Sequence, residues 1–213
     1  MKITVFGATG GTGKEVVKEA LNKGHEVVAF ARTPANVPMN GHENLTIVQG
    51  DALNADDIAR AIATDTDAVI SVLGHRPKST QDGLLERSIE LIMNAMREKE
   101  VERLLALSGA GAWISDRDKP GFVEHGIRGL MKIMASKVLS DSEEMAKRVM
   151  DSDLQWTVPR GPRITDGERT GEWRVGYVGV NSGMQISYAD IAAFLVQEAE
   201  KDQHIHDAPV VSY

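Results

Sequence analysis

The chain reads as α/β: a single Rossmann-type domain over residues 1–213, with a doubly wound parallel sheet and a small C-terminal excursion on the substrate side. Three observations predict this. Short apolar runs of four to six residues alternate with helix-periodic segments, the pattern of repeated βα units on a parallel sheet. The first run is followed at once by Gly7-x-x-Gly10-x-x-Gly13 and an amphipathic stretch, in the strand–turn–helix–strand order of a dinucleotide-binding unit. Late in the chain, glycines at 171, 176 and 179 interleave with Trp173, Val175 and Tyr177, which suggests a β-excursion outside the main sheet.

Taken in order, residues 3–6 form the first strand. Residues 14–23 place Val16, Val17, Ala20 and Leu21 on one helical face, and Gly24 ends that helix. Residues 26–31 and 45–49 are the next two strands. Asn54 caps a helix carrying Ile58, Ala61 and Ile62. The run 68–73 is a fully apolar fourth strand, and 84–99 is a longer helix burying Ile89, Ile92, Met93 and Met96. Residues 103–108 make a fifth strand. The mixture of glycine, proline and both charges over 111–129 predicts a mobile loop or short helices near the site. Residues 131–150 are helical, in one piece or two, and 155–159 is a sixth strand. Ser187 with Asp190 opens a helix over 188–201 in the manner of a capping box, and 209–213 adds a last strand.

The composition removes several function classes. With 42% hydrophobic and 26% charged residues the chain has an ordinary globular balance, and its net charge of -7 argues against nucleic acid as a partner. No apolar run approaches the roughly 20 residues that cross a bilayer, so no membrane partner is expected. The sequence enters a strand without a secretory n-region, which points to the cytoplasm. Cysteine is absent, and with it disulfides, thiolate metal sites and cysteine nucleophiles. His204-x-His206 lacks a third ligand, so no metal is expected. Asp116 to Lys119 reads as solvated charge, and the nine methionines as adaptable core.

The glycine turn carries the chemistry. A diphosphate needs backbone N–H donors at close range, a side chain there would obstruct it, and the following helix N-terminus adds a favourable dipole. This makes Gly7, Thr9, Gly10, Gly11, Thr12 and Gly13 the candidate pyrophosphate loop. A P-loop is excluded because Glu15 follows Lys14 where serine or threonine is required. NAD-preferring sites end the second strand in an acidic residue that binds the adenosine ribose. Here that strand ends in Arg32 and Thr33, a fork of donors and a hydroxyl suited to a 2′-phosphate, so NADP(H) is preferred over NAD(H). Asp51 and Ala52 follow the third strand, where the acid either accepts from the adenine amine or simply starts a turn. Leu73 and Gly74 end the fourth strand and leave room for the nicotinamide ribose.

With these residues in place, the chain resembles the atypical short-chain dehydrogenase/reductases of the NAD(P)-binding, NmrA-like group, and among them the small flavin reductases typified by biliverdin-IXβ reductase. The resemblance rests on "FGATGGTG" at 6–13, "GDALNADDIARAI" at 50–62, "DAVISVLG" at 67–74, "SDLQWTVPRGPRITD" at 152–166 and "QISYADIAAFLV" at 185–196. It implies hydride transfer from NADPH to a flavin or another planar small-molecule acceptor such as a quinone or tetrapyrrole. It further implies that Ser108 and Gly109 face the nicotinamide, and that the segment from Pro159 to Arg163 closes over that end. The family's late histidine is replaced here by Arg163, which puts tetrapyrrole activity in doubt and offers a cation for a carboxylate or phosphate.

The Tyr-x-x-x-Lys pair of ordinary short-chain dehydrogenases is absent: the residues four after Tyr177 and Tyr188 are Asn181 and Ala192. Hydride delivery to a stacked flavin needs mainly orientation, with the proton drawn from water. Ser108 is the candidate catalytic or orienting hydroxyl, Arg163 a second catalytic or substrate group, and Trp113 and Phe122 candidates to stack on a substrate. Two other readings stay open: a non-catalytic NADP(H) sensor, and a nucleotide-sugar epimerase or dehydratase. A monomer and a homodimer are both compatible with the sequence.

Overall fold

The computed structural model describes residues 1–74 and 83–213. Among the described residues, twelve strands and six α-helices follow in the order β1 (Lys2–Phe6), α1 (Gly11–Asn22), β2 (Glu26–Ala31), β3 (Leu45–Gln49), α2 (Ala55–Ala61), β4 (Ala68–Ser71), α3 (Leu84–Glu98), β5 (Arg103–Ala106), β6 (Ser108–Gly109), α4 (Phe122–Met134), α5 (Ser136–Met150), β7 (Gln155–Thr157), β8 (Arg160–Gly161), β9 (Arg163–Thr165), β10 (Arg174–Gly176), β11 (Gln185–Ser187), α6 (Tyr188–Lys201) and β12 (Val210–Ser212). Six strands form a parallel sheet in the order β3-β2-β1-β4-β5-β7, so the winding reverses between β1 and β4. Ligands of such sheets bind outside the carboxyl ends of the strands at that reversal.

Alternation along the strands builds the two layers. In β1, Ile3 and Val5 pack under α1 and α6 with Val16, Val17 and Leu195, while Phe6 faces α2, α3 and α5 with Ile58, Ile92 and Met145. In β2, Val27, Ala29 and Ala31 share the first layer, and Val28 and Phe30 the second. Phe6 and Phe30 meet with ring centroids 5.0 Å apart. Two caps are made as their residue types demand. Asn54 accepts from the Asp57 N–H at 3.1 Å, and the Ser187 hydroxyl accepts from the Asp190 N–H at 3.0 Å.

The later strands depart from the expected lengths. The runs 103–108 and 155–159 each leave the central sheet part-way: β5 stops at Ala106 and β7 at Thr157. Their continuations, β6 and β8, pair in parallel and join β12 and β10 in a second sheet ordered β10-β12-β8-β6. Strands β9 and β11 form a further parallel pair. The C-terminal excursion is therefore larger than the glycine pattern alone suggested.

Its anchor corrects the reading of 116–119 as solvated charge. Arg160 is fully buried and donates to both carboxylate oxygens of Asp118, at 2.7 and 2.8 Å, and to the carbonyls of Ala112 and Ala208 at 3.1 and 2.8 Å. Asp118 also accepts from the Val178 N–H at 3.0 Å, so the segment after β6 is pinned from two sides. Arg117 donates to the Tyr177 hydroxyl and to Asp207. The methionines split: Met93, Met96 and Met145 are core, whereas Met134 is 76% exposed.

Candidate active site

A cleft of about 520 Å³ runs along the carboxyl ends of β1, β2, β4 and β6, at the winding reversal. It is lined by Gly7, Thr9, Gly10, Gly11, Thr12, Arg32, Asp51, Ala52, Leu73, Gly74, Ser108 and Gly109, and by Pro162 of the segment expected to close over that end, all of which the sequence singled out, and by Phe30, Leu85, Ser142, Ile164 and Tyr188, which it did not.

The glycine turn is built for close approach. Gly7 holds φ at +88°, and a Cβ on it would stand 2.7 Å from the Val72 carbonyl oxygen, so only glycine fits between β1 and β4. A Cβ on Gly11 would lie 2.7 Å from the Tyr188 ring, which covers the start of α1. No side chain caps α1 at Gly10, which leaves the amides of its first turn facing the cleft.

Three candidates stand off the cleft wall, each for a physical reason. Gly13 faces inward, where a Cβ would fall 2.0 Å from the Gly7 carbonyl oxygen; it lets α1 pack against the turn. Thr33 is exposed and opens the short 3-10 turn Pro34–Asn36. The Pro159 carbonyl accepts from the Ser108 N–H at 2.9 Å, so this residue aligns β6 instead of lining the cavity.

At one end of the cleft, Arg32 is exposed and its guanidinium makes no hydrogen bond or ion pair among the described residues. Beside it, Asp51 accepts from the Leu53 N–H at 2.9 Å and donates its own N–H to Asp57 at 2.8 Å. That backbone donor, followed by Arg60, holds the Asp57 carboxyl below its ordinary value and fixes the turn that carries Asp51 and Ala52. At the other end, Ser108 is buried, yet its hydroxyl has no hydrogen-bond partner among the described residues. A buried unsatisfied hydroxyl is costly, and this one sits on the wall of a ligand cleft.

A second cavity of about 340 Å³ opens off this end, sharing Gly109 and Pro162 with the first. Trp113, Ile127, Met131, Val178 and Met184 give it apolar walls, and Glu124, Arg128 and Arg163 are its charged members. Trp113 is already engaged: the Arg128 guanidinium lies 4.5 Å from its ring centroid, and His125 meets its edge at 4.8 Å. Phe122 lines neither cavity and is 99% exposed, so it does not anchor the loop by core packing.

Tyr188 is the residue that motif reasoning passed over, having searched the tyrosines only for a lysine four positions on. It leads α6, whose buried Asp190 ties the neighbouring segments together. Asp190 accepts from Tyr213 Oη at 2.6 Å, Thr170 Oγ1 at 2.8 Å and the Gly171 N–H at 2.9 Å. Burial alone would raise this carboxyl's pKa, but these donors outweigh it and hold the group below its ordinary value.

The fold and the cleft are those of a Rossmann-type nucleotide-binding domain. A short-chain dehydrogenase/reductase from Veillonella parvula, solved in complex with NADP, aligns with a TM-score of 0.81 at 15% identity, over 100% of this chain and 94% of that one. ChuY, an anaerobillin reductase from Escherichia coli O157:H7, aligns with a TM-score of 0.79 at 19% identity, over 100% and 96%. By sequence, the uncharacterized protein YwnB of Bacillus subtilis is 29% identical over 220 aligned positions, covering 96% of this chain and 94% of its own. Residues 7–202 match the NAD(P)H-binding family, and the chain belongs to it.

The residues present fit a dinucleotide. The glycine turn is a cradle that any Cβ at position 7 would fill, and unspent donors lie on the cleft at the α1 N-terminus and Arg32.

Proposed function

We propose that the protein is an NADPH-dependent reductase whose acceptor is a flavin or another planar molecule such as a quinone. Bound in the larger cleft, the dinucleotide supplies a hydride. The observation that carries this reading is the meeting of the two cavities at Gly109 and Pro162, beside the unpartnered Ser108 hydroxyl. One cavity suits the donor, and the other suits an apolar acceptor.

The chain's own groups divide the work. The amides of the α1 first turn and Thr12 hold the pyrophosphate, with Gly7 and Gly13 supplying the space. Arg32 pairs with the 2′-phosphate, an ion pair that the 2′-hydroxyl of NADH cannot make. Asp51 and Ala52 border the adenine. Ser108 donates its free hydrogen bond to the acceptor or the nicotinamide amide and fixes the distance between them. Water at the open cavity supplies the proton that accompanies the hydride into the acceptor, so no Tyr–Lys pair is required. The NADP complex of the Veillonella neighbour and the reductase activity in ChuY's name support this assignment by analogy of fold.

The test is consumption of NADPH and of NADH, followed by absorbance, with FMN, riboflavin and a quinone as acceptors. The reading expects NADPH loss that depends on the acceptor, and slower loss of NADH. Tight binding of NADP(H) with no consumption under any acceptor would replace it with a sensor.

A further inference from the structure

Charge in the second cavity is unevenly spent. Of its three charged side chains, Glu124 turns back on its own helix and accepts from the Gly121 N–H at 2.9 Å. Arg128 is neutralised by Glu143 at 2.6 Å, donates to the Gly111 carbonyl at 2.5 Å, and lies on the Trp113 face. Arg163 is exposed and makes no side-chain hydrogen bond or ion pair among the described residues. Its neighbour in β9, Ile164, lines the dinucleotide cleft, and strand alternation turns Arg163 the other way, into the second cavity. Arg163 is thus the one charged side chain of this cavity without a hydrogen bond or ion pair among the described residues, and it stands at the edge of walls made by Trp113, Ile127, Met131 and Met184.

We infer that this cavity takes a planar, apolar acceptor bearing an anionic substituent, phosphate or carboxylate, and that Arg163 is the residue that reads it. The walls accept the ring system by burial, and the single free fork of donors pairs with the anion. A neutral acceptor of the same shape would enter but forgo that contact. Arg163 is a specificity residue on this account, and it stands apart from Arg32, which faces the other cavity. The inference rests on the reductase reading only in naming the occupant an acceptor.

Riboflavin and FMN differ by one phosphate, which makes them the first pair of probes. Their affinities are measured by quenching of flavin fluorescence, with the protein saturated with NADP+ so that no turnover intervenes. FMN is expected to bind on the order of tenfold more tightly than riboflavin. Arg163→Gln should erase the difference without weakening riboflavin, and Arg163→Lys should keep part of it. A carboxymethyl flavin against its methyl ester separates the sources: a gain for the acid assigns an anion reader, and a gain confined to FMN assigns a phosphate reader. Equal affinities for FMN and riboflavin, a preference that survives Arg163→Gln, or no binding of either flavin at millimolar concentration would overturn the inference. The reductase reading fails on a different result, the absence of NADPH consumption with every acceptor.

Discussion

Arg160 and Asp118 form a buried, two-pronged ion pair, Nη1 to Oδ2 at 2.7 Å and Nη2 to Oδ1 at 2.8 Å, that fastens the segment after β6 to the second sheet. Arg160 is 0% exposed, so its charge has no recourse to water. Removing one partner strands the other. Arg160→Met should destabilise the fold by about 3–5 kcal/mol, and Asp118→Asn by a smaller amount in the same direction. Denaturant titration followed by far-UV circular dichroism measures both. A loss under about 1 kcal/mol in Arg160→Met would show that the pair is not the anchor described.

Ser108 should behave in the opposite way. Its hydroxyl lacks a partner among the described residues, so Ser108→Ala removes an unsatisfied buried group. Stability is expected to hold or rise by up to about 1 kcal/mol, while turnover falls at least about tenfold. Thermal unfolding and steady-state kinetics on the same variant check the two halves. A variant that loses stability and keeps its turnover would make Ser108 structural.

Arg32→Ala should raise the dissociation constant for NADPH by roughly tenfold and leave that for NADH unchanged, because the guanidinium has no structural partner to lose. Calorimetric titration with both nucleotides decides it. Parallel weakening of NADH would place Arg32 on the shared part of the cofactor.

The central sheet and the cofactor cradle were legible in the sequence because both are local. The strand–glycine–helix order between Lys2 and Asn22 is written in consecutive residues, and most of the proposed phosphate residues line the cleft. Gly13, Thr33 and Pro159 were expected at the cofactor too, yet they act on the backbone around them, a distinction that spacing does not encode. What was not legible depends on long-range pairing. Arg160 meets Asp118 across 42 residues, and the charge run at 116–119 looks solvated until that partner is placed. The short strands β6, β8, β9 and β11, of two or three residues each, are set by their neighbours and carry no periodicity of their own. Tyr188 escaped notice because its contact is with Gly11, at the far end of the chain.

Acid should loosen the α6 end of the site. The Asp190 carboxyl titrates below its ordinary value in the folded state, so the stability it contributes is complete above the unfolded pKa of about 3.9. That contribution is lost as pH falls through the depressed folded value. Stability measured from neutral pH downward should decline over that window, and Asp190→Asn, already less stable at neutral pH, should decline less. An identical pH slope in the two proteins would remove Asp190 from the account.

The most direct test of the reductase claim is a single-turnover reaction. Protein, a stoichiometric amount of NADPH dideuterated at nicotinamide C4, and excess FMN are mixed, and the rate of NADPH loss is compared with that of unlabelled NADPH. The proposed chemistry expects consumption of one equivalent, slower with deuterium because the transferred hydrogen is the one replaced. NADPH that stays bound and intact, or a rate indifferent to deuterium, would contradict it.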